Sequence, residues 1–533
     1  MNLRAAGVWL AAAAFGAMYT MANVHVSLQT GWTLPAALPS AALALTIARA
    51  QRADAARTRA LVVTFVSIAS AAGFMAGGGN FVALPALLVL GGTLPWWPVV
   101  MVWLALGGLS GVFLGRALYA TADAHGFPTA RAVVTFVEGL TTSETENGSL
   151  AREMRLLAAA FVLGGALGFA RDGVHAIPSV LTWSTGALAL GFDTSAALLG
   201  TGVFMGARAA FSVGAGGLLV GLVLVPWIGH DVPARDLVAQ QLLWIGATLL
   251  GGAALSEIVR DVWKSRSARQ SMHSTQTPNA ARTAAPLLLL GAAAVMGHFV
   301  FHGSWLACAL MGFLALAATQ VGLRTMAATD IVPTRSFMTT AQLALAFDAN
   351  ATTVVPNVVG AAALHGGDTA SAMRIAERLG VRPARAVWGQ CGGVLVGAGV
   401  ACALLFSYAR SGAFEHLPAP SMRAHVAMVR ALGRGEVFLS PRARVACGIA
   451  LALGVVLPWL ELRRDSRLAR YAPSAVGLGS AFLLAPTSSL TMMLGGAITA
   501  WLVAKHPHRA PPFVRGSAAL VVGASLAAFA LTR

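Results

Sequence analysis

Charge is scarce in this sequence. Only 11% of the 533 residues are Asp, Glu, Lys or Arg, against roughly a quarter in soluble domains, which excludes a soluble globular chain. Acids are the scarcer sign, 20 against 37 bases. Cysteine is confined to Cys308, Cys391, Cys402 and Cys447, each in or beside an apolar stretch. They form no CxxC or Cys/His metal spacing, so neither a disulfide framework nor a zinc site is expected. No Gly-Lys-Ser/Thr phosphate loop occurs, so direct ATP drive would need another chain. No basic stretch alternates with aromatics as a stacking platform, and nucleic acid is not expected as a partner.

What is present is apolar sequence of bilayer-spanning length. Hydrophobic residues make up 57% of the chain and mean hydropathy is +0.72. Apolar runs occupy roughly 5–28, 33–50, 60–91, 96–119, 156–170, 175–191, 194–228 and 239–263, then 284–302, 304–328, 336–366, 384–409, 441–461, 473–503 and 513–531. They predict an all-α polytopic transmembrane bundle of roughly 14–16 helices surrounded by membrane lipid, with Gly and Pro interrupting several. The polar, basic stretch 264–283 reads as a cytoplasmic linker between a first transmembrane half, 1–263, and a second, 284–533. The run following Arg4 has no convincing small-residue cleavage site, so it is expected to remain as a first helix. Basic clusters at Arg49–Arg59, Arg260–Arg282 and Arg463–Arg470 place those loops, and the N-terminus, in the cytoplasm. Richness in Ala, Gly and Arg fits a bacterial inner membrane.

Two internal matches suggest duplication. Ser195–Leu219 aligns without gaps on Ser474–Ile498, an offset of 279, and Pro128–Leu140 aligns on Pro420–Leu432, an offset of 292. Such repeats are common in secondary transporters. With an even number of spans per half, the copies are expected to be parallel, related by an axis along the membrane normal.

The motifs carry a resemblance. The turn Asn23–Trp32 after the first apolar run, Ser70-Ala-Ala-Gly73 with Leu84-Pro-Ala-Leu87, Phe127-Pro128, the Ser195–Gly206 run, Thr329-Asp-Ile-Val-Pro333, Asp368–Pro383 and Pro473-Ser-Ala-Val-Gly477 together resemble the oligopeptide transporter (OPT, or yellow stripe-like) family. Their order covers nearly the whole chain, which reads as a divergent bacterial-type member. Asp368 resembles the residue that opens a family helix. The resemblance implies a non-enzymatic symporter that imports small peptides, or metal bound to peptide-like chelators, by alternating access with protons. Departures bear on coupling: Thr129 stands where relatives often carry an acid, Ala196 where they carry Pro, and Gly516–Leu531 lacks a late acid.

Acids within apolar runs are functional candidates by default, since a charge at the bilayer centre costs roughly 2.5–3.5 kcal/mol on insertion scales. The preferred substrate and proton region is Asp330, Asp348, Asn350, Asn357 and Asp368, among Pro333, Pro356 and Gly360. Asp348 is expected to be a buried proton acceptor. Asp368 with Arg374 and Glu377 also fits a polar loop helix. Further pathway candidates are Asn80 in a Gly-rich turn, Glu138 as a gate residue or a solvated one, Asp193 as an N-cap or pathway group, and Glu257, which can pair with Arg260. His298 and His302, four apart, fit one helix face, as structural residues or as a relay. With no third ligand nearby, no metal site is expected, and none for a cofactor. His25 is isolated. The remaining readings are a transporter of iron–siderophore-like chelates and a membrane-embedded enzyme acting on lipid-linked substrates.

Overall fold

The computed structural model describes residues 3–30, 33, 36–77, 81–122, 127–141, 149–182, 191–205, 207–231, 241–253, 256, 280–416, 419–433, 439–462, 472–482, 484–506 and eight positions between 513 and 527. In chain order the helices of the first part are α1 (Leu3–Thr30), α2 (Ala37–Ala50), α3 (Ala55–Phe74), α4 (Ala83–Val89), α5 (Trp97–Leu118), α6 (Pro128–Thr141), α7 (Ser149–Gly168), α8 (Ala196–Met205), α9 (Ala207–Leu219) and α10 (Gln241–Ala253). The second part holds α11 (Ala280–Phe299), α12 (Trp305–Thr329), α13 (Thr334–Ala344), α14 (Ala349–Val354), α15 (Pro356–Arg378), α16 (Pro383–Arg410), α17 (Pro420–Gly433), α18 (Pro441–Leu462), α19 (Ala475–Ala481) and α20 (Pro486–Lys505). Among the described residues, eight helices are long and apolar enough to cross a membrane, and three shorter apolar helices accompany them. The architecture is an all-α polytopic bundle.

Local chemistry sets many of the helix starts. Asp54 accepts from Arg57 N at 2.7 Å, and Ser304 accepts from Ala307 N, as side-chain N-caps of α3 and α12. Pro opens α5, α15, α16 and α20, where its missing N–H costs nothing. Several long apolar runs are broken rather than continuous: 60–91 divides into α3 and α4, 336–366 into α13, α14 and α15, and 473–503 into α19 and α20. The described residues of the run 175–191 do not form the expected helix. After Pro178 its residues Val180–Thr182 are extended and pair antiparallel with Gly191–Asp193, consistent with β-branched residues behind a proline. Most of the expected linker, 264–279, lies outside the described residues, while its last four positions already belong to α11.

The core is built around α15, in which every residue from Pro356 to Met373 is buried. A helix buried on all sides belongs to the centre of a bundle. It packs along α5 with parallel sense, Gly111 against Ala362 and His365 and Gly115 against Gly366. At the shared end the Tyr119 hydroxyl donates to Glu377 Oε2 at 2.6 Å. In the same way α16 runs parallel to α3, with Gly389, Gly393 and Gly397 against Ser67, Ile68 and Ala72. Small residues permit this backbone approach where no hydrophobic force separates protein from lipid.

The duplicated segments fold alike. Helices α8 and α19 start at equivalent positions, as do α9 and α20, and Ser195 and Ser474 each cap their helix by accepting an N–H three residues on at 3.4 Å. Helices α6 and α17 both have 14 residues. Each follows a residue with positive φ, Phe127 at 42° and Ala419 at 37°, whose N–H donates to a carbonyl of a distant helix, Ala327 and Leu28 respectively. The copies also touch reciprocally: Gly216 meets Leu478 as Gly495 meets Leu199, and Gly217 meets Ser489 as Gly496 meets Ala210. Gly214 meets its own equivalent, Met493. Along these pairs α9 ascends as α20 descends, so the two helices are antiparallel. A two-fold operation that exchanges antiparallel helices has its axis perpendicular to them. The expectation of parallel copies about a membrane-normal axis is therefore corrected to an inverted arrangement, because close Gly packing across that axis dictates the relative direction.

Candidate functional site

Two helix breaks face each other. The first follows α1, and the second separates α12 from α13. A cavity of about 320 Å³ lies between them, lined by Ser27, Thr33 and Leu38 from the first and by Met326 and Asp330 through Arg335 from the second. The two repeat-related helices, α6 and α17, each dock on one break through the Phe127–Ala327 and Ala419–Leu28 hydrogen bonds. Helices α3 and α15 add Ser70 and Asp368 to the wall.

Asp330 forms the second break. It ends α12 in the left-handed region, φ 60°, and its N–H donates to Met326 O. The Thr129 hydroxyl of α6 donates to Asp330 Oδ2 at 2.7 Å, whereas Oδ1, buried at the cavity, accepts no hydrogen bond. Deeper in the core, Asp368 accepts from Ser70 Oγ at 2.7 Å and from Gln390 Nε2 at 2.8 Å. His425 of α17 reaches Thr353 O at 2.8 Å through Nε2, while its own carbonyl accepts from Gln342 Nε2. The wall thus combines two carboxylates, the Arg335 guanidinium and a buried imidazole with extensive apolar surface. Such mixed lining suits a small polar solute that carries apolar groups.

The sequence model of the family described as "OPT oligopeptide transporter protein" matches residues 5–532. The chain belongs to the OPT oligopeptide transporter family. No curated protein matches it. Family and apolar helices together make it an integral membrane protein of a transporter family.

Within this OPT chain the expected pathway residues separate into groups. Asp330 and Asp368 meet at the cavity. Asp368 lies in the middle of α15, so it neither opens a helix nor belongs to a polar loop helix. Asn357 is fully buried in the first turn of α15 and does not line the cavity. Asp348 is corrected. It is half-exposed, caps α14 by accepting from Ala351 N at 3.0 Å, and accepts from Ser304 N at 2.6 Å. Burial pushes its carboxyl up, but the Ala351 and Ser304 hydrogen bonds outweigh burial and hold it below the usual carboxylate range. Asn350 is exposed and donates to His302 O at 3.3 Å, away from the cavity.

Asp193 belongs to a separate knot. Its carboxylate pairs with Arg171 at 2.9 Å, accepts from Ser195 N, and is met by Ser488 of α20 at 3.3 Å, while Ser195 itself supplies the N-cap. Glu138 is exposed on α6. Asn80 and Glu257 lie outside the described residues, as does the side chain of His25. Helix α11 ends at Phe299, so His298 and His302 do not share a helix face. His298 stacks on Trp305 with centroids 4.2 Å apart, and His302 follows the turn at Val300 and Phe301, with φ 56°. Among the described residues no three His, Cys, Asp or Glu side chains converge as metal ligands.

The residues that sequence reasoning missed are Thr129, Arg335, Gln390 and His425. Thr129 was visible only as a departure from an acid, and His425 only as a member of the repeated helix α17. Arg335 had a usable signal: it stands two residues after Pro333, next to a predicted break.

Proposed function

We propose that this OPT chain is a proton-coupled symporter of small oligopeptides that works by alternating access and leaves its substrate chemically unchanged. The observation that supports it best is the meeting of Asp330 and Asp368 at one cavity between the two helix breaks on which the repeat-related helices α6 and α17 dock. Broken helices at a repeat interface are where secondary transporters expose backbone groups to substrate. Carboxylates inside a membrane protein are costly, and their presence at a cavity favours a role in binding cations or protons.

In this scheme the breaks after α1 and α12 act as the two walls of the site, and rocking of the inverted copies opens it to alternate sides. Protonation of Asp330 or Asp368 removes a fixed negative charge, which lowers the cost of reorienting the site. The arginines at 49, 52, 57 and 59 precede or open α3, and those at 378, 382 and 385 surround the start of α16, which is parallel to it. That end is the cytoplasmic one by the positive-inside rule, in a bacterial inner membrane. Two passes, α1 and α2, then leave the N-terminus cytoplasmic.

The test is proton movement in proteoliposomes that contain a pH dye, under an inside-negative potential. Tri- to hexapeptides should acidify the lumen with the wild type and not with Asp368→Asn or Asp330→Asn. Acidification by iron chelates alone would transfer the mechanism to metal-chelate uptake. Silence with both solute classes from folded protein would refute the symport reading.

A further inference from the structure

Two neutral side chains of the cavity wall have acceptors to spare. His425 of α17 and Gln342 of α13 both line the cavity and are only 5% and 1% exposed. A backbone carbonyl can only accept, so the contact of His425 Nε2 with Thr353 O at 2.8 Å places the ring proton on Nε2. Burial disfavours the imidazolium form, which leaves Nδ1 as a lone-pair acceptor. In the same way Gln342 Nε2 donates to His425 O at 3.3 Å, which turns Oε1 away from that bond. Among the described residues neither Nδ1 nor Oε1 has a hydrogen-bond partner, and unlike Gln390 Oε1 neither is closed off by its neighbours. Since both residues are otherwise buried, the cavity is where these atoms open. The position of α6 equivalent to His425 is Val133, fully buried, so a helix of this repeat docks without an imidazole.

We infer that the acceptor pair of His425 Nδ1 and Gln342 Oε1 binds backbone N–H groups of the peptide substrate. The Thr353 and His425 carbonyls occupy the donors of the two side chains and hold the acceptors in place. Both acceptors are uncharged, which matches the neutral N–H of an amide. An ammonium group is better served by a carboxylate, whose charge-assisted hydrogen bonds are roughly twice as strong. Because an N–H is common to nearly all residues, such contacts hold a peptide without regard to its side chains. Proline has none, so a peptide with proline at the residue held here is disfavoured. This inference rests on the peptide reading above and adds which part of the substrate the site reads and the two residues that read it.

The experiment is equilibrium binding of labelled trialanine to the purified full chain, with competition by unlabelled trialanine and by its two esters. In these, lactic acid replaces the second or the third alanine, so that an oxygen stands in place of the N–H without added bulk. In the wild type at least one ester should compete roughly tenfold more weakly than trialanine, because a buried acceptor then meets an oxygen instead of a donor. His425→Gln can still donate to Thr353 O but has no acceptor at the Nδ1 position, and Gln342→Met has none at Oε1. Each variant should reduce a penalty to about threefold or less, and one that does not removes its residue from the site. His425→Asn, whose amide oxygen can stand in for Nδ1, should keep the penalty, which separates loss of the acceptor from loss of the ring. Equal competition by trialanine and both esters in the wild type, or penalties unchanged in both variants, overturns the inference and leaves peptide transport standing. Absence of trialanine binding by the folded wild type overturns both.

Discussion

The Thr129 hydroxyl donates a 2.7 Å hydrogen bond to Asp330 Oδ2, joining α6 to the break between α12 and α13 across 201 residues of sequence. This bond orients the carboxylate that the cavity exposes. Thr129→Val should leave the oxygen without a donor, at about 1.5–3 kcal/mol for a hydrogen bond to a charged group. Uptake efficiency should fall about 10- to 100-fold, with Thr129→Ser within about threefold of wild type, as read by initial rates in proteoliposomes.

Asp368 is held by two neutral donors, Ser70 and Gln390, and Gln390 Oε1 has no hydrogen-bond donor. In Asp368→Asn the Gln390 amide can turn and accept from the introduced amide, so thermal stability should change by no more than about 1 kcal/mol. Gradient-driven accumulation should nevertheless be lost, because the group no longer titrates. Asp368→Ala should instead melt earlier, since two buried donors are orphaned at about 1–3 kcal/mol each.

Asp348 should prove structural. Asp348→Ala should cost about 1 kcal/mol through loss of the cap on α14. Its folded pKa lies below the unfolded value, so its contribution is complete above about pH 4 and is lost only as pH falls through the folded value. The pH profile of transport between pH 5 and 8 should therefore be the same in Asp348→Asn and wild type. A shifted profile would restore a coupling role to this acid.

The contact between the inverted copies leaves no room for a methyl group. A Cβ at Gly202 would meet Met492 O, and one at Gly495 would meet Leu199 O. Gly202→Ala and Gly495→Ala should each destabilise by about 1–3 kcal/mol in detergent melts, from overpacking against backbone. Gly399, on α16, has nothing within 4 Å of such a methyl, and Gly399→Ala should be neutral or stabilising by up to about 1 kcal/mol.

Much of the fold is written in local sequence. Runs such as 304–328 and 384–409 match α12 and α16 to within a residue or two, because hydropathy and Pro at the helix start act over short range. The duplication was also visible, since equivalent Ser caps and Gly pairs occupy equivalent sequence positions. Its handedness was not. Whether copies are parallel or inverted depends on which helix faces meet, and an offset of 279 is silent on that.

The candidate site divides in the same way. Asp330 and Asp368 were legible as acids in an apolar setting, and so was Asp348, which has the same local appearance. What separates them is depth and partners. Asp348 faces outward and is satisfied by Ser304 N and Ala351 N, whereas Asp330 faces the cavity with one oxygen unpartnered.

By itself, the sequence determined the solvent this chain folds in, the helical class, the repeat and the family, because each rests on composition or on spacing along the chain. Only the tertiary structure decided which acids share a cavity and that Thr129 holds Asp330. Those relations join residues up to about 300 positions apart. They arise from helix packing through Gly contacts, where the direction of a side chain depends on the neighbours that surround it and not on the residues beside it in sequence.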